Sequence, residues 1–187
     1  MNSKLIQLCD YSKLLYNFTK CGDLLVIGVA VVECNENTTL SKDLVKKSFE
    51  YLCGRHPILN ATLYKDKTLK TVYFCLNENE KFANYDKYLK WDTFATRRDF
   101  EIKLEEFNNK RIDYEANEKL WRACVYDFIE DNQQKYAIAF LLPLFMTDAL
   151  NITTICIEVV NITNALMNNT ECEEMNEKLK VLRNNFS

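Results

Sequence analysis

The sequence predicts an α/β protein of the α+β kind, a mixed open sheet with helices packed on it, in a single domain of residues 1–187. Three observations carry that expectation. An uncharged, β-branched run at 24–32 reads as a buried strand. A segment at 41–53 repeats its apolar residues at helical spacing. Two pairs of extended segments are each joined by a short polar turn. With 187 residues, 48% of them hydrophobic and 27% charged, the chain has material for one core without staples. Three glycines and two prolines leave no linker, and no repeat is visible.

Taken in chain order, residues 11–18 form an amphipathic opening segment. The run from Asp23 to Glu33 is apolar on both faces and is expected to be a central core strand. Leu44, Val45, Ser48, Phe49, Leu52 and Cys53 then line one face of a helix. Ser41 caps its start with Asp43 in the first turn, Gly54 takes the left-handed position after its last turn, and Pro57 stops it. Residues 58–64 and 69–76 read as a hairpin around Lys65–Thr68. The polar stretch 81–118 contains one amphipathic helix, 97–110, with Phe100, Leu104 and Phe107 on its face. Strands are expected at 120–129 and 136–142, joined by residues 130–134. A packed helix follows at 148–167, then a charged helical tail at 171–187.

Composition excludes several classes of function. A formal charge of -3, from 24 basic and 27 acidic side chains, offers no cationic field to a phosphate backbone, so nucleic acid is not an expected partner. The first ten residues lack an apolar run and a cleavage site, and residues 24–32 are too short to cross a bilayer, so neither export nor a membrane span is expected. Cys9, Cys21, Cys34, Cys53, Cys75, Cys124, Cys156 and Cys172 are scattered, without a Cys-x-x-Cys pair or a second histidine. Reduced, mostly buried thiols are favoured over disulfides, and no metal site is expected. Asn-x-Ser/Thr sites at Asn17, Asn37, Asn60, Asn151, Asn161 and Asn168 pull toward secretion. In a chain this rich in asparagine such matches arise by chance, and a cytoplasmic location is the primary expectation.

Candidate chemistry is sparse. His56 is the only histidine and sits between a helix end and a proline, which is a structural place rather than a catalytic one. Cys124 and Cys156 have no base beside them to make a thiolate. Tyr64, Tyr73, Phe74, Phe82, Tyr85, Tyr88 and Trp91 form an aromatic-rich run able to line an apolar pocket, with ordinary packing as the simpler reading.

Three segments, in order, resemble a known family. Leu52-Cys53-Gly54-Arg55-His56-Pro57-Ile58-Leu59 is similar to an RHPxLR helix end, Leu120-Trp121-Arg122 to a PLWR strand start, and Pro143-Leu144-Phe145-Met146-Thr147-Asp148-Ala149 aligns with an HHxxxDG motif. Over residues 20–168 the chain resembles the amino-terminal lobe of the chloramphenicol-acetyltransferase-like superfamily, which includes condensation domains and alcohol acetyltransferases. Members of full length have two such lobes, with donor and acceptor meeting between them.

The resemblance implies a lobe with a degenerate site. In the family the second histidine of the motif is the general base, which takes a proton from an alcohol or amine attacking a thioester. Leu144 stands in that place, Pro143 in that of the first histidine and Ala149 in that of the closing glycine. Asp148 is retained; in the family it organises the site through an ion pair, and as a bare sequence feature it reads equally as a helix-start residue. His56 corresponds to the structural helix end. Arg122 either pairs with a carboxylate in the site or lies as a strand arginine over Trp121 or Tyr126.

Two functions are therefore expected candidates. One is a non-catalytic relative that binds a protein partner or an acyl or CoA-like ligand. The other is an acyltransferase half that acts on an alcohol or amine only when a second lobe or subunit, or another copy of the chain, completes it. No cofactor is expected; acyl-CoA or a carrier-bound thioester enters as ligand.

Overall fold

A computed structural model describes residues 3–21, 24–34, 39–77, 85–109, 112–114, 118–146 and 151–168. The expected mixed α/β architecture is present, with two open sheets. Strand β1 (Ser3–Gln7), strand β3 (Ala61–Asp66) and strand β4 (Thr71–Asn77) form an antiparallel sheet in the order β1-β4-β3. Strand β2 (Leu25–Glu33), strand β5 (Leu89–Thr93), strand β6 (Arg122–Glu130) and strand β7 (Gln133–Pro143) form the larger sheet in the order β2-β7-β6-β5. Among the described residues only β5, which follows the short helix α3 (Tyr85–Tyr88), and β6 run parallel, and helix α4 (Arg97–Asn108) makes the crossover that parallel strands require.

Helix α2 (Lys42–Arg55) and helix α5 (Ile152–Met167) pack on each other over one face of the larger sheet, while α4 covers part of the other. Helix α1 (Asp10–Cys21) seats Leu15 and Tyr16 in the main core and packs on the 3-10 turn Leu144–Met146. One apolar cluster, including Phe49, Leu52, Trp121 and Phe140, fills the α2/α5 side. A smaller cluster of Phe100, Phe107, Tyr126 and Phe128 lies under α4. Each fully buried side chain of this size stabilises by about 1.5–3 kcal/mol.

Helix α2 begins where expected. Ser41 is extended, and its hydroxyl accepts a hydrogen bond from the Leu44 N–H at 3.2 Å. Ser41→Ala is expected to cost about 1 kcal/mol in chemical denaturation, and an unmoved midpoint would show that the cap contributes nothing. The other end differs from expectation. Gly54 lies inside the helix, which continues to Arg55, and His56 is the cap, its N–H bonding to the Leu52 carbonyl. No glycine has positive φ among the described residues.

Four further differences concern the strands. Residues Pro57–Asn60 form a 3-10 turn, so β3 starts at Ala61 and the hairpin turn moves to residues 67–70, with Lys70 at φ 51°. Strand β7 is longer than expected and β6 ends one residue later than expected, because Asp131 and Asn132 both accept left-handed φ (53° and 61°) and close the hairpin in a two-residue turn. Strand β5 has no counterpart in the expectation: five residues containing Lys90 and Asp92 carry too little apolar pattern to be seen. Strand β2 is an edge strand rather than a central one, pairing only with β7 among the described residues.

Helix α5 starts later than expected. Asn151 caps it, its side-chain oxygen accepting from the N–H groups of Thr153 and Thr154. Phe82, Asp148, Ala149 and the expected tail helix lie outside the described residues. No helix among the described residues is long and apolar enough to cross a membrane.

Candidate functional site

The described parts of the three segments that carry the resemblance converge on one end of the larger sheet. Arg122 opens β6 opposite Leu141 of β7, two residues before Pro143 closes that strand. The Trp121 indole stacks on Phe49 of α2 and on Phe140 of β7, with ring centroids 5.5 and 5.4 Å apart. Its Nε1 donates to the Leu59 carbonyl at 2.9 Å, which fixes the turn after α2 to the start of β6.

The aligned motif begins where β7 ends. Pro143 is buried and pairs in register with Leu25. The Leu144 N–H donates to the Leu24 carbonyl at 2.8 Å, and its half-buried side chain packs against the main core. Phe145 and Met146 anchor the turn from below: the Phe145 ring meets Tyr16 edge-on at 5.5 Å, Tyr114 at 5.6 Å and Phe74 at 6.1 Å. Leu144 brings no proton acceptor to this position.

His56 is buried, and its Nε2 lies 2.6 Å from Glu158 Oε2 in α5, itself buried. Arg55 Nε is 3.7 Å from the same oxygen. Beside this pair the Thr163 hydroxyl donates to Ser48 Oγ at 2.9 Å, a second polar link between α2 and α5. The sequence reading missed Glu158. The signal available was that it is the only charged residue in the sixteen-residue span of α5, in a chain with one histidine.

Arg122 pairs with a carboxylate, and the ring it lies over is Tyr88 rather than Trp121 or Tyr126. Its guanidinium pairs with Glu118 at 2.8 Å, donates to the carbonyls of Lys119 and Trp121, and lies 5.1 Å from the centre of the Tyr88 ring. The aromatic run packs mainly against its own neighbours, Tyr88 on Trp121, Trp91 on Tyr136 and Phe74 on Phe145. Cys53, Cys124 and Cys156 are buried, and burial pushes the Cys156 thiol up to about 11. No group of three potential metal ligands occurs among the described residues.

A cleft of about 360 Å³ runs between β2 and the outward side of α5, lined by Gly28, Val29, Ile152, Cys156, Ile157 and Val160 among others, none of them charged. At its floor α5 approaches β2 very closely. A Cβ on Gly28 would sit 2.6 Å from Cys156 Sγ and 2.7 Å from Ile152 Cγ1.

No family model and no curated protein matches the chain. Solved structures do. The starter condensation domain of rhizomide synthetase RzmA, as a double variant in complex with C8-CoA and Leu-SNAC, superposes with a TM-score of 0.70 at 7% identity, covering 89% of this chain and 37% of that one. A "product-released" form of the same domain gives 0.66 at 9% identity, over 95% and 41% of the two chains. A four-domain holo nonribosomal peptide synthetase bound to AMP and glycine gives 0.62 at 10% identity, over 87% and 12%. The chain thus has the fold of a single condensation-domain lobe, the chloramphenicol-acetyltransferase-like fold, and spans about two fifths of the RzmA condensation domain's length.

Proposed function

We propose that this chain is a non-catalytic relative of thioester-dependent acyltransferases, acting by binding a protein partner or an acyl or CoA-like ligand. The observation that supports this most directly is Leu144, in the position aligned with the family's general base, with its side chain packed against the core. A general base must accept a proton within hydrogen-bond reach of the attacking group, and a leucine has no lone pair to offer. His56 is no substitute, since its Nε2 is engaged with Glu158 inside the protein. In this reading His56 and Arg122 organise the lobe, His56 by joining α2 to α5 and Arg122 by holding the approach to β6. Asp148 keeps the site-organising role its place in the motif suggests.

Incubation of the purified protein with acyl-CoA and a panel of alcohols and amines is expected to release no thiol above the protein-free rate. Clear turnover by the protein alone overturns the proposal. Turnover that begins only on addition of a second lobe or subunit favours the completed acyltransferase instead, a reading supported by the chain's 37% share of the condensation domain.

A further inference from the structure

We infer that the edge of β2 left unpaired among the described residues is a homodimer interface, at which the strands of two copies pair antiparallel across a two-fold axis. Of the four sheet edges among the described residues, three carry charge: Lys4 in β1, Lys65 and Asp66 in β3, and Lys90 and Asp92 in β5. Charged side chains, short length, prolines and bulges are the usual protections against edge pairing. Strand β2 has none of them over Leu25–Val32: its nine-residue ladder to β7 is continuous, and its first charge is Glu33. Val29 and Val31 are 38% and 55% exposed.

The ladder also determines which backbone groups are available. The Leu144 N–H bonds to the Leu24 carbonyl, so Leu24 forms a hydrogen-bonded pair with β7, and in an antiparallel ladder such pairs alternate. The N–H and C=O groups of Leu25, Ile27, Val29 and Val31 therefore turn to the free edge. An edge of this kind is a template for another strand.

A second copy is the occupant that the residues favour. At a two-fold axis each group meets its own equivalent or one close to it, so any charge near the axis would repel its copy. Neither β2 before Glu33 nor the α5 wall of the cleft carries one. With Val29 opposite Val29 of the second copy, Gly28 and Ala30 oppose each other on the side facing α5. These smallest side chains fit where α5 crowds the strand. On the other face Ile27 opposes Val31, a β-branched cross-strand pair. The two four-stranded sheets become one, with Ile157 of each α5, 43% exposed, beside the seam.

This inference rests on the partner-binding side of the function proposed above, and its test is separate from thiol release. Sedimentation velocity of the full chain across a concentration series is expected to show a dimer. Amide exchange at Ile27, Val29 and Val31 should slow as the dimer forms. Val29→Pro removes an outward N–H that the β7 ladder does not use, and Val31→Lys adds a charge near the axis. Both are expected to yield a monomer with unchanged far-ultraviolet circular dichroism. A monomeric native chain overturns the inference, and if those amides are protected at every concentration the edge belongs to a segment of the same chain. A dimer that survives both variants overturns it too. Turnover of acyl-CoA would sink the proposed function while leaving the dimer standing.

Discussion

Trp121→Ala is expected to destabilise the protein by about 3–5 kcal/mol, a large share of the 5–15 kcal/mol that holds a typical domain together. Trp121 is fully buried, stacked on both Phe49 and Phe140, and tilted against Tyr88 at 5.8 Å. Alanine leaves a cavity where α2, β6 and β7 meet, and strands the Leu59 carbonyl without its donor. Chemical denaturation measures the loss. Trp121→Phe provides the internal comparison: it keeps most of the stack but not the N–H, and should recover all but about 1–2 kcal/mol. A Trp121→Ala protein within about 1 kcal/mol of the native chain would mean that the three converging segments are not held by this ring.

The second large effect is expected at Glu158. Glu158→Ala leaves the buried His56 Nε2 without its partner at 2.6 Å and removes the carboxylate from beside Arg55. Breaking one side of a buried pair costs about 3–5 kcal/mol, whereas replacing both partners with apolar groups is often close to neutral. His56→Leu combined with Glu158→Leu is therefore expected to be markedly more stable than Glu158→Ala. A double-mutant cycle in denaturation measures the coupling, and additive single effects would show that the pair does not act as a unit. Glu158→Gln keeps an acceptor oxygen and should fall between.

Much of the fold was legible because it rests on local rules. The apolar spacing of Leu44, Phe49 and Leu52 and the hydroxyl of Ser41 mark α2 whatever surrounds them. Phe100 and Phe107 do the same for α4, and both are buried. The end of α2 was less legible. Glycine suggests a left-handed cap, yet here Pro57 terminates the helix and His56 is held as cap by a residue 102 positions away. Short β5 was invisible for the converse reason, since its place is set by parallel pairing to β6 and not by its own pattern.

The candidate site divides along the same line. Leu144 in place of a histidine is readable from the order of segments alone, because it depends only on residue identity. How that leucine packs depends on the core and on α1 seating against its turn, and that Glu158 is the partner of His56 depends on α5 packing on α2.

By itself, then, the sequence determined the class of fold, most of its helices and hairpins, and the absence of histidine from the aligned motif, since periodicity, capping and residue type act over a few neighbours. Only the tertiary structure decided that the apolar strand β2 lies at an edge and that the strands divide between two sheets. Strand order is set by long-range pairing and by the area each face buries, and a run of valines is equally suited to the middle of a sheet or to an edge that another chain covers.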